Sequence, residues 1–282
     1  MEIRPTTDAD LPALDAVFRA AIDEVFHRHA FEPPNPPPEA FAAQHRHLLR
    51  HDAERCFVAE DDGRVVAFVA ALERGDAWFL SSLFVRPEHQ GRGLGRALLE
   101  RAWGGEDRRR LTLTDSIQPI SNGLYARRGL VPTTPLLALV GTPQVAERGG
   151  LEPATPTPDA LAALDAAAYG FDRSVDHAYW RGVGKSTLWL RGGEPAAYSY
   201  VVGGAWIGPV AGADPEAAAS ALQSELERAE GPVRVLVPGS SRELVETSLA
   251  AGLRIGGPPG LLLLSSSARA PTSLAISGYT LF

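Results

Sequence analysis

The stretch that most constrains this chain reads Leu83-Phe84-Val85-Arg86-Pro87-Glu88-His89-Gln90-Gly91-Arg92-Gly93-Leu94-Gly95-Arg96-Ala97-Leu98-Leu99. An apolar strand ends in a turn with three glycines and passes at once into an amphipathic helix. Glycines at 91, 93 and 95 permit backbone conformations and close approaches that side chains forbid. The amides of the helix's first turn have no partner inside the helix and lie at the positive end of its dipole. Such a turn is a site for phosphate.

The spacing excludes two familiar phosphate loops. G-x-G-x-G is not the G-x-G-x-x-G of a dinucleotide fold, and the strand follows a hairpin rather than opening a βαβ unit. No Lys-Ser/Thr follows Gly95, as a Walker loop requires. Gly184-Lys185-Ser186 does not supply one either, because position 179 is Tyr where that pattern needs Gly.

Hydrophobic periodicity sets the surroundings of the turn. A strand is expected over 2–4. A helix capped near Asp8 or Asp10 carries Leu11, Leu14, Val17, Phe18 and Ile22 at helical spacing. A proline-rich loop spans 31–38, and a second helix 39–50. Strands 56–60 and 64–72 flank Asp61-Asp62-Gly63, a hairpin signal. A strand over 78–85 leads into the glycine turn and a helix to about Trp103. Then come a strand over 111–114, a short helix over 119–128 and a strand over 136–140. The segment 141–158 is rich in Gly, Pro and Thr and is expected to be the domain boundary. The second half repeats the order: helix 159–168, hairpin 186–190/196–202 about Gly192-Gly193, strand 206–210, helix 214–229, strand 233–237, helix 241–250, strand 261–265. The fold class expected is α/β (α+β), in two domains over 1–140 and 151–282.

Composition limits the partners. The net charge is −7 over 282 residues, with an acidic surplus in both halves, so nucleic acid is not an expected partner. The single cysteine, Cys56, lies in an apolar strand pattern and reads as a core residue. The opening MEIRPTTDAD lacks a signal peptide's apolar run, and no run approaches the ~20 residues of a membrane span. A cytoplasmic protein of bacterial type, with no membrane partner, is the expectation. Five of the seven histidines fall between 27 and 51. His47 and His51 are spaced i,i+4, but no carboxylate or cysteine completes a ligand set, so no metal is expected.

The motif Gln90-x-x-Gly93-x-Gly95 after Val85-x-Pro87 resembles the signature of the GNAT superfamily of N-acetyltransferases. The resemblance covers nearly all of residues 1–140, including Ile3-Arg4-Pro5-x-x-x-x-Asp10, the hairpin, and Leu124-Tyr125-x-x-x-Gly129-Leu130. It implies two GNAT-like domains, each a mixed, mostly antiparallel twisted sheet flanked by helices. It also implies acetyl-CoA as co-substrate. The amides of Gln90, Gly91, Arg92, Gly93, Leu94, Gly95 and Arg96 would hold the CoA pyrophosphate, with Arg92 and Arg96 adding charge. The backbone of Phe84 and Val85 would pair with the pantetheine arm, as a peptide adds to a strand edge. Tyr125 would protonate the departing thiolate. A phenol with reference pKa ~10 can donate to a thiolate whose acid is near ~8.5. Gln118 and Ser121 stand where the family commonly has Asn and Ala, and Leu130 replaces a usual Phe, so Gln118 is expected to modify the cofactor contacts through its amide. The first two helices, stiffened at Pro33, Pro34, Pro36, Pro37 and Pro38, would wall the acceptor.

The acceptor implied is a primary amine of a small molecule or peptide, attacking directly in a ternary complex. It must be neutral to attack. Glu73 and Asp76, or a water held by Ser81 and Ser82, are the candidates to take its proton; the carboxylates also read as exposed turn residues, and no base is assigned. The rival readings are a non-catalytic acyl-CoA-binding sensor or interaction protein, and an acyltransferase using another acyl-CoA.

Residues 151–282 have no glycine signature. After the strand 206–210 the chain reads Ala211-Gly212-Ala213-Asp214-Pro215. Asp214 would cap a helix and repel phosphate, and Pro215 has no N–H. With Tyr169-Gly170-Phe171-Asp172-Arg173 and Ile207-Gly208-Pro209-Val210, this half resembles a degenerate, non-catalytic GNAT repeat. It could serve packing, homodimerisation or completion of the acceptor pocket.

Overall fold

The computed structural model describes residues 1–105, 108–144 and 150–282. It divides into two compact units. The first gathers Met1–Val131 with Leu263–Ala268, the second Pro132–Leu262 with Arg269–Phe282. Residues 145–149 of the expected boundary segment lie outside the described residues. The contacts divide earlier, after Val131, and the strand following it belongs with the second unit.

In the first unit the order is β1 Glu2–Pro5, α1 Leu11–Arg28, α2 Pro38–His51, β2 Cys56–Asp61, β3 Arg64–Arg74, β4 Ala77–Val85, α3 Leu94–Ala102, β5 Arg109–Asp115 and α4 Pro119–Ala126. The strands lie β1-β2-β3-β4-β5. Each pair is antiparallel except β4–β5, which is parallel. The β2–β3 turn puts Asp62 and Gly63 at φ 48° and 74°. This left-handed pair matches the twist of the strands it joins. Val65 to Leu72 are buried without alternation, as befits a strand covered on both faces. One cover is the α1 stripe Leu11, Leu14 and Val17, which packs with Phe41, Val58, Val65 and Phe68. Arg4 grips the Asp10 carboxylate through both terminal nitrogens, at 2.7 and 2.8 Å. Asp10 also accepts from the Thr7 amide and hydroxyl. The Arg4 bonds, opposed by partial burial and helped by Thr7, hold its carboxyl down at about 2. The Arg4…Asp10 spacing of the sequence is therefore the lock at the start of α1.

The second unit runs β6 Val131–Gly141, β7 Glu152–Ala154, α5 Pro158–Ala168, α6 Ser174–Val183, β8 Gly184–Arg191, β9 Glu194–Val202, β10 Trp206–Gly212, α7 Pro215–Arg228, β11 Val233–Pro238, α8 Arg242–Ala250, β12 Arg254–Ile255, β13 Gly260–Leu264 and β14 Leu274–Ala275, except that Val131 and the β13 residues Leu263 and Leu264 fall in the first unit. From β7 to α8 it repeats the first unit element for element, which is the expected duplication of order. β10–β11 is the parallel pair, matching β4–β5. The sequence reading has no α6. Its first turn is capped by the Asp172 carboxylate accepting from the Ser174 amide at 2.8 Å, and its buried face is polar as well as aromatic: Asp176, His177 and Trp180. A search for apolar periodicity passes over such a helix. No helix among the described residues is long and apolar enough to cross a membrane.

Candidate functional site

The site begins where two strands part. β4 pairs with β5 only from Ala77↔Arg109 to Leu80↔Thr112, while its pairing with β3 continues to Ala67↔Val85. A register shift at Ala70/Ala71 makes Ser81 the extra residue of a bulge, at the point where β5 leaves. Beyond it the far side of β4 is an open edge. The Arg86 amide donates to Val66 at 2.9 Å, which fixes the alternation of an antiparallel pair. Leu83 and Val85 therefore turn their backbone groups to the opening. Phe84, expected there with Val85, turns its backbone to β3 instead. Its ring packs edge-on to Phe18 at 5.1 Å. A shift of one residue along a pleated strand is what sequence alone does not fix.

The glycine turn follows directly. Gln90 donates from Nε2 to the Val85 carbonyl at 3.0 Å, so its side chain latches the turn to the strand. Gly91 and Gly93 have φ 75° and 82°, and a Cβ at either would meet nothing within 4 Å. Gly93 is the N-cap of α3, which has no side-chain cap. The first amides of α3, at Leu94, Gly95 and Arg96, thus begin a helix in front of open space. The Leu94 side chain is buried; Arg92 and Arg96 are exposed, and Arg96 lies 3.8 Å from Glu100. A Cβ at Gly95 would lie 3.8 Å from both Val85 and Leu124. One point therefore joins the end of β4, the start of α3 and the middle of α4.

On α4, Gln118 is the N-cap residue and Tyr125 lies in the last turn, 4% exposed. Burial pushes the Tyr125 phenol above its ordinary pKa, against a hydrogen bond with Ser121. The phenol stays protonated across the neutral range. Asn122 also contributes, with its side-chain nitrogen 3.4 Å from the Asp115 carbonyl; the sequence reading passed over it.

The candidate bases separate. Glu73 pairs with Arg55 at 2.7 Å and Arg108 at 3.0 Å. The Arg109 guanidinium beside Asp76 holds its carboxyl below the usual range. Both precede β4, at the end opposite the glycine turn, and act as ion-pair partners. Ser82 is buried against His45, with Oγ 3.2 Å from Nε2, while His45 Nδ1 lies 3.0 Å from the Phe41 carbonyl. Burial pulls the His45 pKa down to about 4, against that carbonyl and Asp15. His45 is thus a neutral core histidine. The His47 and His51 rings lie 4.7 Å apart, tilted by 52°. Burial drives the Cys56 thiol up to about 12, which suits a core residue.

A strand opening, a glycine-rich helix start without a side-chain cap and a buried phenol on the next helix thus follow one another in the first unit. Residues 22–130 match the model of the acetyltransferase (GNAT) family. These residues of the first unit form a GNAT-family acetyltransferase domain. No curated protein matches its sequence significantly. A candidate acetyltransferase of Pyrococcus horikoshii shares its fold at TM-score 0.78 and 18% identity, over 100% of this chain and 95% of that one. A GCN5-related N-acetyltransferase of Sphaerobacter thermophilus follows at TM-score 0.64 and 18% identity, over 94% and 95%. A tandem GNAT protein of the clavulanic acid biosynthesis pathway matches at TM-score 0.54 and 16% identity, over 95% and 99%. At these identities the likeness concerns the fold, here a tandem GNAT fold. The family match over residues 22–130 supports acyl transfer as the general class of reaction of that domain.

Proposed function

We propose that this GNAT protein is a cytoplasmic N-acetyltransferase carrying acetyl from acetyl-CoA to a primary amine of a small molecule or peptide, with its one cofactor site in the first unit. The observation that carries this reading is the end of β4–β5 pairing at Leu80↔Thr112, directly before a glycine turn with open space at 91 and 93. The pyrophosphate takes the amides of residues 91–96, in front of α3; the Gln90 amide, expected among them, donates instead to the Pro87 carbonyl at 3.2 Å. The pantetheine amides pair along Leu83 and Val85, as an added strand does. The amine attacks the thioester in a ternary complex: its nitrogen bonds to the acetyl carbon, the C–S bond breaks, and Tyr125 gives its proton to the sulfur. A buried phenol held protonated suits that step. The amine's own proton leaves by a route to which we assign no side chain, since Glu73 and Asp76 are committed to arginines. Gln118, at the N-cap of α4, contacts the cofactor through its amide.

The test is a panel of primary amines with acetyl-CoA, following free thiol, beside calorimetric titration of acetyl-CoA. Thiol release with at least one amine, and a stoichiometry near ~1 per chain, are expected. Binding without turnover across the panel supports the sensor reading instead. Absence of binding overturns both.

A further inference from the structure

The second unit has the same strand opening, and the chain itself is in it. β10 and β11 run parallel only at Trp206↔Arg234 and Ile207↔Val235, as β4 and β5 do before they part. Into the gap comes β14. On one side it pairs antiparallel with β10, at Val210↔Ala275 and Ala211↔Leu274, and the Gly212 amide donates to the Ser273 carbonyl at 3.0 Å. On the other side the Ile276 amide donates to the Leu236 carbonyl of β11 at 2.9 Å, at an isolated antiparallel bridge. Alternate residues thus bond to alternate walls, as in any inserted strand.

The slot is shaped for this occupant. A Cβ at Gly208 would lie 2.5 Å from the Ile276 carbonyl oxygen, so the glycine is what lets the two backbones meet. Leu274, Ala275 and Ile276 have no measurable exposure. Farther along, Phe282 packs edge-on to Tyr169 at 5.6 Å, and its carbonyl accepts from Arg173. Arg173 is itself fixed by Asp165 at 3.1 Å. The segment is held along its strand and again at Phe282.

We infer that the opening between β10 and β11 is a binding slot for an extended peptide, and that residues 273–276 of this chain, secured at Phe282, are its resident ligand. The second unit is then a GNAT fold closed from within, filled by backbone amides where the first unit leaves an edge unpaired. A segment that behaves as a ligand exchanges; a strand integral to the fold does not.

The experiment uses the full chain with a protease recognition sequence inserted between Ala268 and Arg269, folded first and cut afterwards. A labelled synthetic peptide of residues 271–282 is then offered, and uptake is read by mass spectrometry. The cut protein is expected to take up about one labelled peptide per chain, and the uncut protein none. A peptide N-methylated at Ile276, which loses the donor to Leu236, should compete about tenfold less well. Three results overturn the inference: loss of the near-ultraviolet signal of the buried Trp180 and Trp189 on cutting alone, absence of exchange at any peptide excess, or equal competition by the methylated peptide.

Discussion

The turn after β4 and the turn after β10 stand at the same place in two copies of one element order, and they treat the helix that follows in opposite ways. At the first, Gly93 adopts φ 82° and caps α3 with no side chain. At the second, the Asp214 carboxylate accepts from the Ala217 amide of α7 at 2.7 Å, and Pro215 removes one donor outright. Gly212 lies so near that a Cβ there would be 2.4 Å from the Ala218 nitrogen. Against the upward push of burial, the Ala217 amide and Arg191 hold the Asp214 carboxyl below the usual range. An anionic cap of this kind both satisfies the helix and excludes a phosphate. The lesson is that a helix start serves a ligand only when the protein leaves it unfinished. The strand openings repeat the contrast, since segment 273–276 fills the second.

The comparison can be broken most directly at Gly93. Gly93→Glu places a side chain at a left-handed φ and a negative charge before the α3 amides. We expect loss of detectable acetyl-CoA binding in calorimetry with the circular dichroism spectrum retained. Any residual site in that variant would show the second unit binding cofactor, and the contrast would fail. Tyr125→Phe is next. It keeps the ring and removes the proton, and kcat should fall by about 10²–10⁴-fold with acetyl-CoA affinity nearly unchanged. A wild-type kcat would make Tyr125 a core aromatic only.

Smaller effects separate the units by stability. Burial holds the folded pKa of His45 in the first unit at about 4, against an ordinary 6.5. The unfolded chain takes up the proton first as pH falls. Stability is therefore level above pH 6.5 and drops through the window from 6.5 to 4, by about 3 kcal/mol from this group. Denaturant titrations of wild type and His45→Gln across that window measure it, and parallel profiles would contradict the burial argument. The mildest change is Asp214→Ala, which should cost about 1 kcal/mol of stability through the lost cap and leave acetyl-CoA binding as it was. A second binding site in Asp214→Ala would mean that the carboxylate alone had closed the second helix start.

Local chemistry was legible in the sequence wherever one residue type dictates one backbone state. The Asp62-Gly63 and Gly192-Gly193 turns, the glycine start of α3, and Asp214 with Pro215 at the start of α7 follow from sterics and capping within a few residues. The α1 stripe and the repeated element order follow from hydrophobic period in the same way. Tertiary structure decided what depends on partners distant in sequence. The parting of β4 from β5 at Leu80 is set by pairing across some thirty residues. The alternation that points Val85 to the opening, and Phe84 away from it, is set by Val66. The Arg55, Arg108 and Arg109 pairs that take Glu73 and Asp76 out of contention as bases are long-range contacts, as is the His45–Ser82 pair that ties α2 to β4. The filling of the second opening was least visible of all. Residues 274–276 form a short apolar run like many others, and only the gap between β10 and β11, with both walls offering hydrogen bonds, makes that run a strand.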